Sequence, residues 1–215
     1  MMWAAPLDAP LTRMHDPLHA AFDLAAAVDC GEAQATRNAA AAVETELGTG
    51  STRELLRMLH LFFGFPKIVQ ALNASLDVLP VLDDEDCDKD LRPNPARPDP
   101  LAQGEHNFRE LYAEDADRVL DHLAILDPIL RAWILDHAYA RALLRGGLSL
   151  AQTERLAVLC LAATGCWKQW ESHVAIAIRA GVTPTILLAD CLAAQAWVGK
   201  ATSTQARARL TGIAS

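Results

Sequence analysis

Residues 148–181 read LSLAQTERLAVLCLAATGCWKQWESHVAIAIRAG, and this stretch decides the fold. Ser149 is placed to open a helix. Ala and Leu then dominate to about Ala163, Thr164-Gly165 interrupts, and a second helix is expected from Cys166 to Ala180. Gly181-Val-Thr-Pro combines a helix-ending glycine with a new N-cap and a first-turn proline. Two helices folded back about Gly165 follow.

The same grammar extends both ways. A helix from Pro184 to Trp197 and a last one from about Thr202 finish the chain. Upstream, Pro128 to about Leu144 reads as one helix, closed by Gly146-Gly147. Ala113 to about Leu126 reads as another, and Asn107 to Tyr112 as a short one. Four helices are expected between Leu11 and Leu82. Thr12 and Asp16 are placed to cap the first, which Asp29-Cys30-Gly31 breaks, and an Ala-rich helix follows from Glu32 to about Glu46. Ser51 stands three residues before Glu54, the capping-box spacing. Leu55, Leu56, Met58, Leu59, Leu61 and Phe62 make the next helix apolar nearly all round, hence central. Gly64-Phe65-Pro66 ends it and starts the fourth. No segment reads as a strand.

Residues 83–104 differ. DDEDCDKD and RPNPARPDP bury little, so they form a surface connection. The acidic run lacks the turn glycine of a calcium loop. The expected organisation is therefore a helical unit over 1–82, a linker over 83–104 and a second unit over 105–215.

Composition supports an all-α chain, with 52% hydrophobic residues, Ala and Leu well ahead of Val and Ile. A net charge of -8 argues against nucleic acid or an anionic membrane as partner. No uninterrupted apolar run reaches the roughly 18 residues of a membrane span. The N-terminus lacks the basic region and apolar core of a signal peptide, so a cytoplasmic location is expected. Cys30, Cys87, Cys160, Cys166 and Cys191 are widely spaced and odd in number, the pattern of free thiols. No metal or cofactor is expected.

The two ends overlay on each other. A shift of 136 sets Cys30 on Cys166, Arg37 on His173 and Leu18 on Glu154; a shift of 135 sets Gly64 on Gly199. The chain thus reads as two repeated helical modules, the first having lost two of three polar groups.

Glu154, Cys166 and His173 are the candidate catalytic residues. Cys166 and His173 lie seven residues apart on one helix face with Gln169 between them. Glu154 returns alongside if the two helices pack antiparallel. A thiol at a helix start is held toward the thiolate by the exposed N–H groups. His173 is a proton acceptor for it and Glu154 an orienting acid. Gln169 and Trp170 are candidate pocket residues, although helical spacing makes core packing the simpler reading for Trp167 and Trp170. Plainer roles stay open for the others too: Cys166 as a small core hydrophobe, His173 as a satisfied core histidine, Glu154 as an exposed first-turn acid. Cys30, Cys160 and Cys191 read as core. His15, His19, His60, His106, His122 and His137 have no identifiable partner, and Asp136, Tyr139, Arg141 and Arg145 are too dispersed to define a site.

From about Gly104 to Gly199 the chain resembles the carboxymuconolactone decarboxylase and alkylhydroperoxidase-D-like superfamily. The resemblance rests on the LY of RELYAED, then YARALLRGGLS, ERLAVLCLAATG, HVAIAIRAGVTP and a final helix ending in glycine. GFP at 64–66 is similar to the end of the same module, as in two-copy members. The resemblance implies an all-helical bundle that forms homo-oligomers and acts on a small molecule. It places Glu154, Cys166 and His173 on the Glu, first Cys and His of the peroxidase branch. That branch has a second cysteine where Gln169 stands, so a peroxidase here would work through one cysteine or recruit Cys160 or Cys191. The decarboxylase branch tends to an acid at Gln169 and keeps the histidine. The leading expectation is a thiol-dependent peroxidase-like oxidoreductase. The alternatives are a lactone decarboxylase or related proton-transfer enzyme on a small organic acid, and a non-catalytic helical scaffold.

Overall fold

A computed structural model describes residues 16–82, 99–144 and 147–214. Thr12, His15, Cys87, Arg145 and most of the expected linker lie outside the described residues. Every regular element among those described is helical.

Helix α1 (Leu18–Cys30) begins where Asp16 Oδ1 accepts the Leu18 N–H at 3.0 Å, and ends at Gly31 in the left-handed conformation. Helix α2 (Ala33–Glu46) leads into α3 (Ser51–Ser75). The capping box expected at Ser51 does not form. Gly50 is the N-cap, and Ser51 Oγ donates back to the Leu47 carbonyl. The carboxylate of Glu44 instead accepts the Gly50 and Thr52 N–H groups, at 2.6 and 3.0 Å. Glu44, ten positions before Glu54, supplies the capping carboxylate, because the α2–α3 turn is tight enough to bring it there.

By length and mean hydropathy (1.3), α3 meets the criterion for a membrane span that no uninterrupted run met in the sequence. It is broken at Gly64 (φ 78°, ψ 159°), and Leu55, Leu56 and Leu59 are buried in the core. Gly199 (φ 85°, ψ 150°) has nearly the same backbone as Gly64, in a region open essentially to glycine alone. Each glycine joins an apolar helix to a further one.

Helix α4 (Pro100–Tyr112) starts well before Asn107, because the Asp99 side chain caps it by accepting the Ala102 N–H and Pro100 takes the first turn. The last part of the expected linker is thus helical. A single 3-10 turn joins α4 to α5 (Ala116–Leu126). Then α6 (Pro128–Trp133) runs on into a π-helical segment, Ile134–Ala142. Helices α7 (Leu150–Ala163), α8 (Trp167–Arg179), α9 (Pro184–Ala193), α10 (Gln195–Val198) and α11 (Lys200–Ala214) complete the chain. The capping box that does form is at Ser149 and Gln152, opening α7.

One hydrophobic core joins α1, α2 and α3 to α7, α8, α9 and α11, with Leu18, Leu24, Leu56, Leu59, Leu156 and Leu187 almost fully buried. A second cluster, Phe108, Tyr112, Leu120, Leu135 and Tyr139, reaches Ile176 on α8. The N-terminal helices are therefore one wall of the core that also carries α7 and α8.

A polar network and a close backbone approach lock this packing. Arg155 on α7 donates to both Asp190 oxygens and to Asp16 Oδ2, each at 2.7 Å. Burial pushes the Asp190 carboxyl up and the Arg155 guanidinium pulls it down. Gly104 on α4 sits so close to the π-helical segment that a Cβ would lie 1.9 Å from the Leu135 carbonyl oxygen. Two outcomes follow. Arg155→Met strands the buried Asp190 and costs about 3–5 kcal/mol, whereas Arg37→Ala, at an exposed pair with Asp77, leaves the unfolding midpoint nearly unchanged. Gly104→Ala forces α4 off the π-helical segment at a cost of about 1–3 kcal/mol or more. Thermal unfolding checks both.

Candidate functional site

Helices α7 and α8 fold back on each other through Thr164, Gly165 (φ 71°) and Cys166. This returns His173 to the level of Glu154. His173 Nδ1 lies 2.7 Å from Glu154 Oε2, and the carboxylate has no exposed surface. Glu154 is therefore not the exposed first-turn acid that remained open. Its Oε1 has no hydrogen-bond partner among the described residues.

A carboxylate this dry needs a donor, and the imidazole supplies it through Nδ1–H. In the neutral ring the Nε2 lone pair is then the proton acceptor. The arrangement matches the orienting half of a carboxylate–histidine pair, in which the acid fixes tautomer and ring plane.

Cys166 is exposed and stands at the N-cap of α8. Its Sγ lies 3.8 Å from the Thr164 carbonyl oxygen, so the thiol donates there. Seven helical residues rise about 10 Å, so a proton passing between Cys166 and His173 needs a group or water in between. The structure brings two of the three expected residues into contact. Gln169, between them in sequence, is exposed. Trp170 is fully buried in the main core, against Trp167 at 5.7 Å between ring centres. It is packed inside the protein, where a pocket wall had been one expectation.

The other thiols sort by burial. Cys160 and Cys191 are buried as expected, and desolvation raises both thiols, Cys191 to about 12. Neither is suited to replace the missing second cysteine. Cys30, expected in the core, is exposed beside a groove of about 690 Å³. It is the last residue of α1, before the turn glycine, whereas Cys166 follows its own. The overlaid cysteines thus occupy opposite sides of their turns. Leu18, at the Glu154 position of the first copy, is core, and Arg37, at the His173 position, bonds Asp77 on the surface.

Two residues next to the pair were not selected from the sequence. Tyr112 and Tyr139, the only tyrosines in the chain, share a hydrogen bond of 3.1 Å between hydroxyls. Burial, with the nearby Glu154 charge adding to it, raises both phenols, so they remain proton donors. Ala113, directly after Tyr112, is the only non-glycine residue with positive φ among those described (49°). The signal available was compositional: the chain has two tyrosines, and both fall in neighbouring helices.

Residues 128–211 match the carboxymuconolactone decarboxylase family. The match covers 84 of the 215 residues and makes this segment similar to that family. The matched segment carries Tyr139, Glu154, Cys166 and His173, while Tyr112 lies ahead of it. No curated protein matches the chain.

Removing one partner of the buried pair should cost more than removing both. His173→Leu leaves Glu154 without its donor, at about 3–5 kcal/mol, while Glu154→Leu combined with His173→Leu costs distinctly less. Denaturant unfolding of the three variants gives the coupling.

Proposed function

We propose that the carboxymuconolactone decarboxylase-like segment is an acid–base enzyme acting on a small organic molecule, with His173 as the proton carrier and Glu154 as its orienting acid. The observation carrying this reading is the 2.7 Å Nδ1–carboxylate contact in a site where Glu154 is wholly buried. An apolar pair at these positions would pack without the desolvation cost. The pair's distinctive contribution is a fixed tautomer with Nε2 ready to accept a proton. Tyr112 and Tyr139, kept protonated, are donors suited to negative charge developing beside the histidine. Lactone decarboxylation and related proton transfers on small organic acids fall within this chemistry.

A second reading is a thiol-dependent peroxidase. It is favoured by the exposure of Cys166 at the head of the helix that carries His173. In that reaction the thiolate attacks the hydroperoxide, the O–O bond breaks, an alcohol leaves, and the sulfenic acid is reduced by an external thiol.

We also take the two ends as copies of one module, supported by the matched glycine geometry at Gly64 and Gly199. We take the protein to be a cytoplasmic homo-oligomer. Ile125, Leu126, Ile129, Leu130 and Trp133 form a run of exposed apolar residues at the turn from α5 to α6, a surface suited to self-association.

The two chemistries separate in one experiment. Turnover of a panel of small lactones and oxo acids, and of tert-butyl hydroperoxide with a dithiol, is measured for the parent and two variants. The acid–base reading expects His173→Gln to lower turnover of an organic-acid substrate by 10²-fold or more, with Cys166→Ser unchanged. Hydroperoxide reduction abolished by Cys166→Ser, with no organic acid turned over, would transfer the assignment to the peroxidase.

A further inference from the structure

We propose that the cavity between α3 and the π-helical segment is a binding site for a small aromatic carboxylate. It is separate from the Glu154–His173 pair and shares no lining residue with it. Its volume is about 240 Å³, and its lining includes Arg57, His60, Phe65, Ile68, His137 and Arg141.

The walls are flat rings held in a fixed geometry. The His60 ring stacks on Phe65 at 4.9 Å and 15°, and meets His137 edge-on at 4.7 Å and 64°. Phe65 follows the glycine-only bend at Gly64, which swings its ring out of the helix line; it remains 64% exposed, on the open side of the cavity. His60 Nδ1 hydrogen-bonds the Arg57 carbonyl oxygen. A carbonyl only accepts, so Nδ1 carries the proton, and His60 Nε2 accepts from His137 Nε2–H at 2.5 Å. The His60 imidazole is thereby neutral, in agreement with the lowering of His60 by burial. Both rings serve as walls.

The charge comes from the guanidinium groups. Glu54 holds Arg57 through Nη1, and Asp136 holds Arg141 through Nε and Nη2 at 3.2 and 3.0 Å. A guanidinium has five N–H donors, so each arginine is fixed in position and keeps donors for a ligand. The two carboxylates weaken the local positive potential, which favours a ligand gripped by a planar, two-pronged contact over one drawn only by charge. His137 and Arg141 stand four residues apart in the π-helical segment, whose wider turn keeps them on one face, and such segments gather at functional sites.

Size narrows the ligand further. The cavity is smaller than the roughly 300–1,000 Å³ of sites for drug-sized molecules, which suits a single ring bearing one carboxylate. The proposed ligand sets its ring against Ile68 and Ala142 and its carboxylate toward the arginines.

The test uses the full chain and three probes: benzoate, its neutral analogue benzamide, and inorganic phosphate. Binding is followed by calorimetry and by the ring resonances of His60 and His137. The expected result is saturable benzoate binding that shifts both histidines, with benzamide and phosphate each at least tenfold weaker. Arg141→Gln and Phe65→Leu, shown folded by circular dichroism, should each weaken benzoate at least tenfold and severalfold respectively. Arg141→Lys, which keeps the charge but loses the fork, replaces the Gln variant if that one does not fold, and should also weaken binding. The proposal is overturned by absence of saturable benzoate binding, by benzamide or phosphate binding as tightly, or by indifference to the Arg141 substitution.

Discussion

The burial of one carboxylate constrains much of this molecule. Glu154 has no contact with solvent, and it tolerates that position only because His173 delivers a donor from the next helix. That delivery fixes the register of α8 against α7, and the turn at Thr164-Gly165-Cys166 must have the length it has. Around this hairpin the remaining helices form walls. Helices α1 and α3 close one side through the main core, and α4 with the π-helical segment closes the other. Arg155, one residue after Glu154, ties the same helix to α9 and to the start of α1. Site and scaffold are thus built on adjacent residues of α7.

Much of the fold was legible in the sequence. Helix positions followed from Ala/Leu periodicity, and the breaks followed from Gly31, Gly64, Gly165 and Gly181. The family resemblance holds for the segment from Pro128 to Thr211. What the sequence did not disclose depended on contacts distant in the chain. Ser51 and Glu54 have capping-box spacing, yet Glu44 caps that turn. Asn107 looked like a helix start because the proline-rich stretch before it masked the Asp99 cap at Pro100. Periodicity is blind to the π-helical segment, whose register change depends on how α4 approaches it at Gly104.

The site was legible to a similar degree. Helical spacing was enough to bring Glu154 and His173 together, since a hairpin of two regular helices has little freedom. The same spacing placed Cys166 on the face of His173, about two turns away, which aligns the two side chains without bringing them into contact. Cys30 and the tyrosine pair were misjudged or passed over because burial depends on neighbours from other helices. His60 and His137, 77 positions apart, had no partner that local patterns could reveal. Only the packing of α3 on the π-helical segment makes them a pair.

Acid–base chemistry at this site depends on the protonation geometry of one imidazole. Long-range ¹H–¹⁵N correlation of the His173 side chain at neutral pH measures it directly. The expected spectrum shows Nδ1 protonated, with a slowly exchanging proton that moves or vanishes in Glu154→Gln. A ring protonated at Nε2, or one averaging freely between tautomers and unaffected by that substitution, would contradict the account.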